Sequence, residues 1–428
     1  MLSYPDYRQA CGWNALLPPR SSVRELDADL CADVVIIGAG FTGLAAARRF
    51  GTIRPGARVV ILEASTVGEG NPGRNSGFLL DIALANDADA GALERMRDCN
   101  RLIREAMDEL RTLVETRDID CSLERTGTYR AAAGSAGCAA LGRYRAFLEG
   151  AALPFETLDR RELERRLGTS FYREGLYSPD CWLVQPAVLI RGLADQLPAG
   201  VHLLERSPAL AMTRHAEQWS VRTARGSVTA RVVLVANNAF CKNLGIGGSR
   251  LAAIYTSAAL TAPLPPETLA GLGTEPAWGL LPAHRLGSTL RRTREGRLLI
   301  RSTYNYEREP RADGVTQRLR ESLYKRFPRL AGVAFIASWS GATGFTLNGA
   351  PLWGKVGPGL YVSAGCNGGG IVKGTLFGRL LADLATGSPV PDIAALFGTP
   401  PWMPPEPFRR AGFHVVSALE RRKGLAET

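Results

Sequence analysis

The stretch ADVVIIGAGFTGLAAARRFGTIRPGARVVILE at residues 32–63 decides the fold. Val34 to Ile37 form a short, wholly apolar run, the pattern of a parallel strand buried on both faces. LAAARRF at 44–50 reads as a helix, and Val59 to Leu62 repeat the buried-strand pattern, so the segment is one βαβ unit. Gly38, Gly40 and Gly43 stand in G-x-G-x-x-G register at the strand-to-helix turn, with Phe41 and Thr42 opening the helix. The first glycine allows the tight turn, the second lets a pyrophosphate approach the backbone, and the third lets the helix pack against the strand. The helix N-terminus then faces the phosphates. Glu63 ends the second strand 20 residues after Gly43, where an acid accepts hydrogen bonds from an unphosphorylated adenosine ribose. Glycines alone would also suit a turn that binds nothing; both strands and the acid together specify dinucleotide binding in a Rossmann-type α/β unit.

A loop dense in Gly, Asn and Ser, STVGEGNPGRNSGFL at 65–79, follows and surrounds the single Arg74. A plain nicotinamide-dinucleotide fold needs no such loop, so it reads as a wrap around a second face of a larger cofactor. At the far end of the chain, GLYVSAGCNGGGIVKGTLFGRLLADLATG at 359–387 repeats strand, glycine turn and helix. Gly368, Gly369 and Gly370 in series exceed what a turn requires, and a second helix N-terminus is expected at the ligand.

Between these two segments the pattern changes. Residues 92–115 have helical periodicity with many charges, expected as a surface helix of an inserted region. Residues 181–198 read as a turn feeding a helix with Pro186 in its first turn. Short strands alternate over 201–237, and 288–303 reads as a hairpin turning at Glu295-Gly296 inside a second, antiparallel domain. After 399, prolines precede a basic amphipathic helix on which Phe408, Gly412, Val415 and Leu419 recur at helical spacing. Packing on the body of the protein is the expected fate of that helix, with peripheral contact to an anionic membrane surface as the alternative.

The 428 residues are 45% hydrophobic and 22% charged, the balance of a globular protein and not of a disordered or disulfide-scaffold chain. That length corresponds to roughly two to three domain-sized units. Apolar runs such as VVII at 34–37 fall far short of the ~18 residues of a membrane span. The first twenty residues lack the apolar core of a secretory signal, so a cytoplasmic location is expected. The net charge of +11 is carried by arginine, with five lysines at 242, 325, 355, 373 and 423. Basic and acidic residues are interleaved, and there is no arginine-rich arm or aromatic RNA-binding motif, which argues against nucleic acid. Eight cysteines are scattered without C-x-x-C spacing and four histidines stand alone, so no metal is expected.

Taken together, DVVIIGAGFTGLAAA at 33–47, Glu63, GEGNPGRNSGF at 68–78, Gln185-Pro186, VVLVANNAF at 232–240, WSGATGFTLNGAPLWG at 339–354 and LYVSAGCNGGGIVKG at 360–374 resemble the D-amino-acid oxidase (DAO) family of FAD-dependent oxidoreductases. Within it, the chain looks most similar to the branch typified by γ-glutamylputrescine oxidase. The resemblance implies a discontinuous FAD-binding domain (31–91, 155–245 and 335–398) and a substrate domain on a mixed, largely antiparallel sheet (92–154 and 246–334). Residues 1–30 are an extension, and 399–428 the proline-led tail helix. Carried over residue by residue, Gly38, Gly40, Phe41, Thr42, Gly43, Glu63 and Ala64 hold the ADP half. Arg74, Asn75, Ser76 and Gly77 lie in the family's loop beside the flavin, with Ala236, Gly365, Asn367, Gly369, Gly370 and Ile371 completing the site. The family loop usually reads A-S-G-R-N-G-G; here Asn71-Pro72 precede Gly73, and Ser76 replaces a glycine. Members with covalent flavin carry a cysteine in the segment aligned with WSGATGF. None occurs there, so FAD is expected to be non-covalent.

The activity implied is oxidation of a C–N bond in an amine or amino acid: hydride passes to flavin N5, and the imine hydrolyses to a carbonyl product. Oxygen or a quinone takes the electrons. Since the cofactor supplies the difficult step, no catalytic His or Cys constellation is required. Lys373 at the glycine turn, and Arg292 and Tyr304 on the predicted hairpin near Arg291 and Arg301, are the candidate catalytic and substrate-anchoring residues. Aromatic hydroxylases share the first glycine motif but place a Gly-Asp pair near the last strand; SAGCNGGG has no Asp. The remaining alternative is a flavin-bearing subunit of a larger amine dehydrogenase complex.

Overall fold

Val34 to Ile37 are buried because the strand Leu30–Ile37 runs through the middle of a sheet, with Val59–Leu62 on one side and Ser227–Val235 on the other, all parallel. The structure is a computed structural model and describes residues 2–21, 23–82 and 88–428. Val201–Leu204 extends this first sheet in parallel beyond Val59–Leu62. Leu360–Ala364 extends it beyond Ser227–Val235, and Leu352–Gly357 closes that edge in antiparallel pairing. The strands Ala211–His215 and Gln218–Arg222 form an antiparallel hairpin laid onto Ser227–Val235. This is the doubly wound, Rossmann-type half of an α/β fold.

Helices cover one face of that sheet. Phe41–Ile53 and Val372–Thr386 pack tightly together: a Cβ placed at Gly378 would lie 2.1 Å from the carbonyl oxygen of Thr42. Leu93–Thr116 joins them, burying Leu102, Ile103, Ala106, Met107 and Leu110 in the same core. Its charges point outward as expected. Most of its apolar stripe roofs the first sheet, while Met96 at its N-terminal end packs with Ala132 and Leu176.

The second sheet has eight strands in the order Phe335–Phe345, Ala252–Thr261, Leu298–Tyr306, Thr289–Arg292, Trp278–Pro282, Thr128–Ala132, Glu174–Ser178, Glu156–Asp159. All neighbours are antiparallel except Trp278–Pro282 with Thr128–Ala132. The hairpin at 288–303 turns at Gly296, whose φ of +83° favours glycine. Two segments assigned from sequence to the FAD-binding half pair here instead: 156–178 contributes two strands and 335–345 forms an edge. These strands carry no local mark of which sheet they join, because their pairing partners are distant in sequence. A separate core lies behind this sheet, where Trp278, Leu290, Leu298 and Ile300 meet Leu319 and Leu323 of the helix Ala312–Arg326.

Among the described residues no helix is long and apolar enough to cross a membrane. None of their His, Cys, Asp and Glu side chains gather into a group of three or more able to hold a metal ion.

Candidate functional site

Both glycine turns empty onto one cleft between the two sheets. The strand Leu30–Ile37 ends at Gly38, whose φ of +101° is the left-handed geometry that glycine permits. The helix Phe41–Ile53 then starts at Gly40 with no side-chain cap and no acid in its first turn. Its leading amides are therefore left for an anion. Gly43 does not line the cleft: a Cβ there would sit 1.9 Å from the carbonyl oxygen of Gly38, so glycine is needed for the helix to reach the strand at all. On the opposite side, Val372–Thr386 also begins without a side-chain cap or a first-turn acid. The close approach at Gly374 and Gly378 brings these two helix N-termini together.

The Glu63 carboxylate is held by its own turn. Oε2 accepts from the backbone N–H of Ala39 at 2.8 Å and Oε1 from that of Ser65 at 3.1 Å. Burial pushes its pKa up, and the backbone donors of Ala39, Ser65 and Ala64 pull it back. Each oxygen keeps a lone pair for a ribose hydroxyl. Gly38, Gly40, Phe41, Thr42, Glu63, Ala64, Ala236, Gly365, Gly369, Gly370, Ile371 and Lys373 all border the cleft, whose space with its mouth included is about 1990 Å³. Uncapped helix ends, a glycine floor and a ribose acceptor fit FAD in its ADP half.

The loop of 65–79 does something else with its arginine. Arg74 borders the cleft, but its guanidinium is consumed by the protein: Nε donates to Glu69 O at 2.6 Å, and its two terminal nitrogens donate to Ser340 O at 2.9 Å and Gln9 O at 2.7 Å. Tyr7 stacks on it with 3.8 Å from the guanidinium carbon to the ring centre. Arg74 thus ties the loop to the second sheet and to the N-terminal extension. Asn75 also serves the loop, donating to Pro72 O at 2.6 Å and accepting from Gly77 N at 2.8 Å. Ser76 borders the cleft with them. Gly77 lies behind, with φ +79° and no room for a Cβ beside Val184 O. Asn367 is likewise internal, donating to Gly365 O and Gly349 O and accepting from Thr346 N.

The second sheet closes the cleft with Thr256, Leu281, Thr289, Arg301, Gly341 and Thr343. Arg292 and Tyr304 are not among these residues. Side chains alternate along a strand, so Arg292 turns to the face opposite Thr289 and donates to Leu272 O at 3.1 Å, beside a separate surface hollow shared with Glu124 and Glu295. Tyr304 packs with Ile254, Tyr306 and Met403 at the outer end of the sheet. Arg301 faces the cleft, with Nε donating to Thr256 Oγ1 at 3.1 Å, the one hydrogen bond its guanidinium makes among the described residues. Arg291 is locked into the core, donating to Ser76 O at 3.0 Å; burial pushes its pKa down to about 10, still a cation near neutral pH.

Three contributions carried no signal in the chain's pattern. Ser3, Tyr4 and Pro5 of the extension reach the cleft, where Asn237 Nδ2 holds Ser3 O at 2.9 Å. The Tyr7 hydroxyl pairs with Asn71 Oδ1, and both accept from Ala342 N. Cys366 borders the cleft as a free thiol contacted by Asn238 Nδ2 at 3.1 Å. The first two depend on the extension folding back over the loop, and the third on a turn whose cysteine resembles any core thiol.

Comparison with known proteins agrees with this architecture. A gamma-glutamylputrescine oxidoreductase of Escherichia coli (strain K12) is 28% identical over 375 residues, 85% of this chain and 85% of that one. A glycine oxidase of Geobacillus kaustophilus (strain HTA426) is 27% identical over 361 residues, 82% of this chain and 92% of that one. The crystal structure of glycine oxidase from Geobacillus kaustophilus matches with a TM-score of 0.74 at 23% identity, over 86% of this chain and 99% of that one. The pattern of the family described as DAO, FAD dependent oxidoreductase, runs through residues 33–384, and with the glycine turns, Glu63 and the two-sheet cleft in place, the chain belongs to that family.

Proposed function

We propose that the protein oxidises the C–N bond of a small amine or amino acid that carries an anionic group. What supports this most directly is Arg301: a partly exposed cation on the substrate sheet, turned into the same cleft as both cofactor-facing helix ends. Bound FAD would supply the chemistry by accepting a hydride from the carbon that bears the nitrogen, leaving an imine that water hydrolyses.

The chain's own residues bind and orient. Arg301 would pair with a carboxylate through its terminal nitrogens while Thr256 holds Nε, so the guanidinium presents a fixed edge. Thr289 and Thr343 offer hydroxyls on the same face of the cleft, and Leu281 excludes water beside them. The N-terminus of Val372–Thr386, with Lys373 in its first turn, stabilises negative charge at that end of the cleft. The chain holds FAD without a covalent bond, by the two helix ends, Glu63 and the glycine turns.

The test is an anaerobic panel of amines and amino acids, read as loss of the flavin absorbance band. Substrates with a carboxylate should bleach it and their decarboxylated counterparts should be poor. Uniform failure across the panel, or a preference for the uncharged amines, would sink the proposal.

A further inference from the structure

The tail helix Phe408–Lys423 is mounted with its polar side inward. Residues on its inner side are Phe413, Ser417, Glu420 and, just beyond, Gly424. Phe413 packs on Tyr306 with 5.3 Å between ring centres, Ser417 is buried, and Glu420 Oε2 lies 3.5 Å from His284 Nε2 and 3.7 Å from Arg285 Nε. A Cβ at Gly424 would meet the His284 ring at 2.5 Å. Both ends are clamped. Arg409 donates to Gly248 O at 2.9 Å and Leu251 O at 3.0 Å. Beyond the helix, the buried Glu427 carboxylate accepts from Ala133 N at 3.1 Å and Gly134 N at 2.8 Å, and its carbonyl accepts from Arg326 at 2.6 Å.

This fixed helix turns its apolar stripe to solvent. Phe408, Val415 and Leu419 fall at i, i+7 and i+11, one face of a 3.6-residue repeat, and are 67%, 60% and 54% exposed. Val416 flanks them at 52%, and Trp402 stands out from the preceding segment at 62%. Packing on the body, the fate expected for this stripe, is not what occurs. An apolar face this continuous on a helix held so firmly marks a surface that something covers.

Its margins identify the occupant. Arg422 and Lys423 stand on either side of the stripe at its C-terminal end and are exposed, whereas Arg410, its guanidinium carbon 5.9 Å from the Tyr306 ring centre, and Arg421 lie on the side away from the stripe. The helix has a single acid, Glu420, and it is engaged by His284, Arg285 and Lys423. An apolar ridge of Phe, Val and Leu with a nearby Trp and a cationic C-terminal end is the make-up of a helix lying in a bilayer interface, where long basic side chains reach out to lipid phosphates. We propose that Phe408–Lys423 docks the protein peripherally on an anionic membrane, its stripe seated among the acyl chains and Arg422 and Lys423 on the headgroups.

Sedimentation of the FAD-loaded protein with vesicles tests this. It should pellet with equimolar phosphatidylglycerol and phosphatidylcholine, lose that binding in high salt, and stay in solution with phosphatidylcholine alone. Leu419→Glu and, separately, Arg422→Glu with Lys423→Glu should each lower the bound fraction about tenfold or more, with amine-dependent flavin reduction in solution unchanged. Equal binding to neutral vesicles, or none to anionic ones, would overturn the proposal. So would a dimer on gel filtration that Leu419→Glu converts to monomer, since the stripe would then belong to a second copy.

Discussion

Arg301 Nε and Thr256 Oγ1, 3.1 Å apart, join two neighbouring strands of the second sheet where the pairing is irregular, between Tyr255 and Ser257. The extra residue lies on the strand of Arg301, at Thr303–Tyr304, where Thr303 has a φ of +61°, and the hydrogen bond fixes the guanidinium in the cleft.

Replacing Arg301 with Met should therefore raise KM for a carboxylate-bearing amine more than it lowers kcat. A charge-assisted contact contributes about 1.5–3 kcal/mol, so kcat/KM should fall roughly ten- to hundredfold. Arg301→Lys should restore part of the loss. Steady-state kinetics on both variants check this; Arg292→Met, away from the cleft, should leave KM near wild type.

Glu63→Gln removes the charge from the ribose acceptor while keeping its shape. FAD should dissociate about ten- to hundredfold more readily, in line with the ~1.5–3 kcal/mol of a hydrogen bond to a charged group. Titration of the apoprotein with FAD, followed by flavin fluorescence, measures it. An unchanged Kd would remove Glu63 from the binding site.

Gly378→Ala and Gly412→Ala should act in opposite directions. The first drives a methyl group to 2.1 Å from Thr42 O, between two packed helices, and overpacking of that kind costs about 1–3 kcal/mol. Melting temperature and FAD affinity should both drop. Gly412 has nothing within 4 Å of its Cβ position, so alanine there should stabilise the tail helix by about 0.5–1 kcal/mol. Thermal denaturation of the two variants side by side compares them.

Acid precipitation should release all of the yellow colour into the supernatant. Should colour remain with the denatured chain, Cys366 is the thiol bordering the cleft, and Cys366→Ser would identify the attachment.

Lys373→Met should slow reoxidation of the reduced flavin by oxygen more than its reduction by substrate, because a fixed cation favours the superoxide that develops on oxygen in a dry site. Stopped-flow measurement of both half-reactions separates them. Equal effects on the two would assign Lys373 to structure, and a wild-type enzyme already sluggish with oxygen would point to a quinone acceptor.

Much of the FAD-binding half was legible because its signals are local. The glycines at 38, 40 and 43, the apolar runs on either side and Glu63 all lie within one βαβ unit, and each residue's task is set by neighbours a few positions away. The same holds for Gly368 to Gly370 ahead of the second helix. The loop at 65–79 was recognised as part of the site, but its arginine turned out to brace the loop, since the acceptors on Gln9 and Ser340 are far away in sequence.

What the amino-acid sequence by itself determined was the dinucleotide turn, the two helices that face it and the family to which they belong. Tertiary structure alone decided the substrate side. Choosing Arg301 over Arg292 depends on strand register, where a shift of one residue reverses the face presented, and on pairing between strands more than 40 residues apart in sequence, as between Thr256 and Arg301. The tail helix follows the same logic. Its periodicity is written in the chain, but whether the apolar stripe is buried or displayed was settled by His284, Tyr306 and Arg326, which hold the other side of the helix and its C-terminal end.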